Sequence, residues 1–290
     1  MANANPVEIK KEEVMTEAAT AVVNVAEEID FAADAGAGLE TAAQEDFAIP
    51  FLTVLQKMSP QVDEDSGAYI PGAKAGMIYE TVTGRMFDGK KGVLIIPCAY
   101  RHVFLRWGPR ESASAGFKGE FSVDAMAQIR ASGQAKEVDG KLYAPLPDGS
   151  VHEKKSDRFA DTRNHFCLLL DEENGGTMQV LLSISSTQIK KSKMLNQMLA
   201  AVRFTTPQGK IAPPTFGNLV RMTTVPEQNE KGTWHGIKFE IEGRVSDRAM
   251  YTIAKAFNAS VNKGNVAARY DEDSANAGGA QAETSAEERF

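Results

Sequence analysis

Two residue pairs have the types and spacing for metal chemistry. Cys98 and His102 stand four residues apart, and His165 and Cys167 stand two apart. On extended strands each pair projects from one face, so the four side chains together would suit tetrahedral zinc. Both pairs lie in apolar stretches, where buried reduced thiols are the commoner arrangement, and no tight double-knuckle spacing supports a metal. We therefore expect no bound metal. Catalytic patterns are equally sparse. The chain has no P-loop, no glycine-rich dinucleotide fingerprint, no GxSxG, no HExxH and no paired CxxC. His152, Asp157, Asp161 and His165 are neighbours in sequence but match no ligand template. The expectation is a non-catalytic protein that needs no cofactor.

Binding chemistry is better represented. The run RHVFLRW interleaves Arg101, His102, Arg106 and Trp107. Basic side chains that track phosphates, alternating with rings that meet bases, suit single-stranded nucleic acid. The competing explanation is a core Phe104 and Trp107 with arginines that reach past them to solvent. In Thr233–Val245, alternation sends His235, Ile237, Phe239, Ile241 and Val245 one way. It sends Trp234, Lys238, Glu240, Glu242 and Arg244 the other. Trp234 thereby joins a polar face, where it either stacks a base or is covered by another element. In STQIKKSKMLNQMLAAVRF, Leu195, Met198, Leu199 and Val202 form a helical apolar stripe. Lys190, Lys191 and Lys193 crowd its first turns. Cations there oppose the macrodipole at a cost of about 0.3–1 kcal/mol each, yet they make a good phosphate site beside free N–H groups. A merely solvated basic face is the plainer alternative. Last, the acidic residues Asp271, Glu272, Asp273, Glu287 and Glu288 precede Phe290, a pattern suited to docking a basic pocket or occupying the chain's own basic groove.

These residues need elements to hold them. Met77–Thr83, Gly92–Trp107 (interrupted by Pro97), His165–Leu170, Thr177–Ser185, Leu219–Val225 and Thr233–Val245 read as strands. Met178, Val180, Leu182 and Ile184 alternate with mostly polar residues, which marks one buried face. DEENGG and PEQNEKG read as hairpin connections. Helices are expected at Ser122–Ala131, Thr187–Arg203 and Asp247–Val261. The fold class is therefore mainly β, a small antiparallel sheet or barrel with appended helices, with a loop-rich insertion near 110–163. An acidic disordered segment is expected at 1–45, the folded domain at 46–262, and an acidic disordered tail at 263–290.

The charge divides along the same lines. Residues 1–45 hold ten acidic side chains and two lysines; residues 271–290 hold six acidic and one arginine. Between them, residues 46–270 carry 23 acidic and 29 basic side chains, so an acidic chain contains a basic middle. Two cysteines, no apolar run long enough to span a bilayer and no leader-like start suggest a reducing compartment, the cytoplasm, and no membrane partner.

DFAIPFLTVLQKMSP, the G-x-I-Y-x-T-x-T-G run at Gly76–Gly84, and SSTQIKKSKMLNQML resemble a widespread family of bacteriophage single-stranded DNA-binding proteins, over roughly residues 40–250. The resemblance implies an OB-fold-like antiparallel barrel and binding of single-stranded DNA without sequence preference. It also implies a tail, here Asp271, Glu272, Asp273, Glu287, Glu288 and Phe290, that recruits replication proteins such as polymerase or helicase. The binding residues expected are Arg101, Arg106, Trp107, Lys190, Lys191, Lys193, Trp234, Lys238 and Arg244. Self-association is compatible with this. A strand-annealing or recombination-mediator protein would use the same groove, and a non-catalytic virion or scaffold protein would suit a β-core with acidic ends.

Overall fold

The computed structural model describes residues 37–42, 47–109, 112–173, 175–230, 232–266 and 268–270. The chain divides into two compact units, Met1–Asp46 and Phe47–Phe290. In the first, the described stretch is a turn whose Glu40 carboxylate accepts from the Gly38 N–H. The disorder expected for the acidic ends falls largely outside the described residues.

The second unit is mainly β and antiparallel. Its spine is two long strands, β4 (Val93–Gly108) and β8 (Arg158–Leu170), paired from Ile95↔Leu169 to Trp107↔Arg158. Each spine strand shares its outer edge between two neighbours. β4 pairs with β12 (Asn218–Asn229) over Val93–Ile95 and with β5 (Gly116–Ser122) over Val103–Gly108. β8 pairs with β9 (Thr177–Ser185) over Thr162–Leu170 and with β7 (Lys141–Tyr143) over Arg158–Phe159. β12 carries β13 (Gly232–Arg244), and β7 carries β6 (Lys136–Val138).

One irregularity decides which side chains share a face. Pro97 pairs with Cys167 and Ala99 with Phe166, so Cys98 is an extra residue in β4. Such a bulge reverses the alternation beyond it. Val93 and Ile95 face the first core before the bulge. After it the odd residues Val103 and Leu105 face the second core. Tyr100, His102 and Phe104 consequently project from the same face as Ile95.

Helices pack on both faces of the spine. On the first, Ile95, Cys167, Leu182, Val220 and Phe239 pack against Leu195 and Leu199 of α2, the helix Ile189–Ala201. On the second, Cys98, Phe166 and Leu168 pack against Ala254, Phe257 and Val261 of α3, the helix Arg248–Asn262. Asp247 caps α3 by accepting from Met250 N–H at 2.6 Å. A third, smaller core joins Phe104 and Phe159 to Met126 of α1 (Val123–Ala131), capped by Ser122.

Three expectations are corrected. The insertion near 110–163 is less loop-rich than expected: β5, α1, β6 and β7 lie there, and its strands extend the far half of the sheet. Residues 263–270 belong to the fold, because Val266 and Tyr270 are buried in the second core. The strands also do not close into a barrel. β1 (Leu52–Val54) heads a three-stranded sheet with β2 (Ile78–Glu80) and β3 (Met86–Phe87). The chain entering β1 meets β9 at one parallel bridge, Phe51↔Leu181. Toward β13 the gap is spanned by a side chain. The Gln56 amide donates to the His235 carbonyl and accepts from the His235 N–H, both at 2.9 Å. Those edge groups are satisfied without a partner strand, so no ladder is required there.

The G-x-I-Y-x-T-x-T-G run holds this arrangement together. The buried Glu80 carboxylate accepts from the Val82 and Thr83 N–H groups, which closes the turn between β2 and β3. Thr81 Oγ1 accepts from Phe51 N–H and so ties DFAIPF to the run. Gly76 has φ +91°, and a Cβ on Gly89 would sit 1.8 Å from the Gly76 carbonyl oxygen. The two glycines let these backbones pass in contact.

Candidate nucleic-acid interface

The start of α2 is unusual chemically. A short 3-10 turn, Ser186–Gln188, leads into it, and Ser186 has φ +54°. Gln188 occupies the N-cap position without capping the helix. Its amide turns away instead, accepting from the Ile237 N–H at 3.1 Å and donating to Glu227 at 2.9 Å. The first turn contains no acidic residue. Ser192, Leu195 and Leu199 anchor the buried side, while Lys190 and Lys193 are exposed.

Lys191 is spent differently. Its ammonium lies 2.6 Å from the Glu227 carboxylate, with both side chains mostly covered. Glu227 also accepts from the Trp234 indole N–H at 2.9 Å. Burial pushes the Glu227 carboxyl upward, but Lys191, Gln188 and Trp234 outweigh it and hold it below the ordinary carboxylate range. The carboxylate lies over Gly236, where a Cβ would come within 2.5 Å of it. Lys191 and Trp234 thus meet where α2 reaches β13, with Lys190 and Lys193 on the exposed side of the same helix turns. Lys238, paired with Glu240 at 2.6 Å, and the exposed Arg244 lie farther along β13.

The run 101–107 goes elsewhere, because its alternate residues leave opposite faces of β4. Arg101 donates to the Val261 carbonyl near the end of α3 and lies over the Phe166 ring at 5.3 Å. Arg106 pairs with Asp157 at 2.7 Å, and Lys118 shares that carboxylate. Trp107 packs edge-on against Phe117 and Tyr270 in the second core. Arg101, Arg106 and Trp107 therefore make structural contacts and are not brought to the lysines of α2.

The four potential zinc ligands do not converge. Cys98 is in the second core and Cys167 in the first. His102 Nε2 meets Asp161 Oδ1 at 2.8 Å, and His165 Nε2 meets Ser192 Oγ at 2.7 Å. Burial pushes the Cys98 thiol up to about 12 and the Cys167 thiol well above its ordinary value, which favours protonated sulfur at both. Burial also holds the His165 imidazole down at about 4. Among the described residues no group of three or more His, Cys, Asp or Glu side chains is placed to hold a metal ion. Asp157 and Asp161 are engaged by Arg106 and His102, so the acidic and histidine side chains near 152–165 form no joint site.

Tyr100 carries no signal that the sequence alone reveals. This aromatic is 41% exposed on the first face of β4, directly beside His165, with ring centroids 5.1 Å apart. The bulge at Cys98 puts it there. Glu227 is hidden in a similar way, because PEQNEKG reads as a turn, whereas β12 runs through it to Asn229. Asp271, Glu272, Asp273, Glu287, Glu288 and Phe290 lie outside the described residues.

No curated protein and no solved structure matches the chain. One family does match, the Pam3 phage gp34-like protein, over residues 16–267, and this covers the whole of the site just described. The chain therefore belongs to the Pam3 phage gp34-like protein family.

Proposed function

We propose that this phage-family protein binds single-stranded DNA without sequence preference and serves replication or recombination without catalysing a reaction. The observation that carries this reading is the start of α2. Two exposed lysines, Lys190 and Lys193, flank a helix N-terminus that has no side-chain cap and no acidic residue in its first turn. For the fold alone that placement is unfavourable, since positive charge opposes the macrodipole. For a phosphate it is favourable, since ammonium groups stand beside the positive end of the helix dipole. The net basic balance of residues 46–270 points the same way.

The acidic residues of 271–290 are assigned a partner-recruiting role on this reading, and in the free protein they compete with DNA for the lysines. Fluorescence anisotropy of a labelled oligothymidylate with the full chain tests the proposal. Binding should weaken as salt rises, and the Lys190→Gln/Lys193→Gln variant should lower the logarithmic salt slope by roughly 1.4, about 0.7 for each phosphate no longer neutralised. No binding at low salt, or an affinity indifferent to salt, would discard it.

A further inference from the structure

α2 covers the first face of the spine as far as His165, through Ser192. α1 covers it again from Phe104 and Phe159 onward, through Met126. Between these two helices lies a strip of sheet with Tyr100 and His102 on β4, and Asp161 and Arg163 on β8. Direct cross-strand pairing sets Tyr100 opposite His165 and His102 opposite Arg163. Paired residues share a face, and on this one Tyr100 and His102 reach the surface while His165 and Arg163 are buried beside them.

Tyr100 is the exposed aromatic of that surface. Tyr100 keeps 41% of its surface open between the two helices, so part of its ring is available to a ligand. Its support is rigid: the His165 ring packs against it at 5.1 Å, and His165 is fixed at 2.7 Å to Ser192 of α2. Ser192 stands in the same turn as Lys190 and Lys193. Two contacts therefore tie the open ring to the helix turn that carries Lys190 and Lys193 on its exposed side.

The charge of the strip is balanced. His102 Nε2 and both terminal nitrogens of Arg163 engage the Asp161 carboxylate. The strip thus offers a phosphate little net attraction, while it offers an aromatic ligand a flat face bordered by polar side chains. We infer that Tyr100 is a stacking platform for an unpaired nucleobase, with Lys190 and Lys193 holding the adjoining phosphates. This rests on the single-stranded DNA reading above and assigns it a base-contacting residue. A face that stacks any base without reading its edge gives binding without sequence preference.

The test compares a thymidine oligonucleotide with an abasic oligonucleotide of equal length, using full-length protein. The wild type should bind the thymidine strand about fivefold to a hundredfold more tightly, the range for one stacked base. Tyr100→Ala should lose that preference and keep wild-type affinity for the abasic strand, whereas Tyr100→Phe should retain the preference. The wild-type comparison needs no variant and stands even if Tyr100→Ala folds poorly. If Tyr100→Ala keeps the thymidine preference while Lys190→Gln/Lys193→Gln weakens both strands, the platform is wrong and the DNA reading stands. If the wild type binds neither strand, both are wrong.

Discussion

Lys191 Nζ lies 2.6 Å from the Glu227 carboxylate, in the midst of the lysines assigned to DNA. One cation of the three is thereby neutralised by the fold. Glu227→Gln removes the negative charge, retains the shape and releases Lys191. We expect oligonucleotide binding to tighten severalfold at low salt and its salt slope to steepen by roughly 0.7, the effect of neutralising one more phosphate. Urea unfolding should show a loss of about 1–3 kcal/mol from the weakened partially buried network. Unchanged salt dependence would place Lys191 outside the contact surface.

Arg101 provides the opposite case. It is basic, it sits in an aromatic–basic run, and its guanidinium is committed to the Val261 carbonyl near the end of α3. Arg101→Met should cost about 1.5–3 kcal/mol of stability, the worth of a charge-assisted hydrogen bond. Its oligonucleotide affinity should stay within twofold of wild type. A tenfold loss of affinity with intact folding would return Arg101 to the interface.

His165 makes the fold acid-sensitive. Burial holds its pKa at about 4, below the ordinary imidazole value near 6.5. Below pH 6.5 the unfolded chain takes up the proton and the folded one does not. Stability contributed by the neutral ring is therefore full above about pH 6.5 and falls as pH drops toward 4. The loss is on the order of 3 kcal/mol. Chemical denaturation between pH 7.5 and 4.5 should show the decline, and His165→Gln should flatten it. Equal pH dependence in the variant would mean that other groups govern the acid limb.

Gly89→Ala tests the packing of the loop that carries the G-x-I-Y-x-T-x-T-G run. The added methyl would lie 1.8 Å from the Gly76 carbonyl and 2.1 Å from Thr224 Oγ1. Backbone cannot yield as a flexible side chain can, so we expect a destabilisation on the order of 3 kcal/mol in thermal or urea melts. A wild-type midpoint would show that this loop tolerates displacement.

Much of this architecture was legible because local patterns and tertiary structure agree. The alternation of Met178, Val180, Leu182 and Ile184 became β9, and Ser122 and Asp247 sit as N-caps beside the helices they begin. What escaped depends on long-range pairing. The face of Tyr100 is set by the extra residue Cys98 opposite β8, so counting by twos along β4 fails there. Glu227 lies in a stretch with Pro, Asn and Gly, which is locally turn-like, yet pairing with β13 draws it into a strand that delivers its carboxylate to Lys191. The three-residue strands β6 and β7 have too little pattern to detect. The burial of Tyr270 follows from packing against Phe51, Trp107 and Phe117, all distant in sequence.

The most direct test of the central claim is photocrosslinking of an iodouridine-substituted single strand to the full-length protein, followed by mass spectrometry of the modified peptides. Adducts are expected on Tyr100 and on the segment holding Lys190 and Lys193, suppressed by excess unlabelled single strand and weakened by salt. Adducts confined to Arg101, Trp107 or the outer face of β13, or no adducts at low salt, would contradict it.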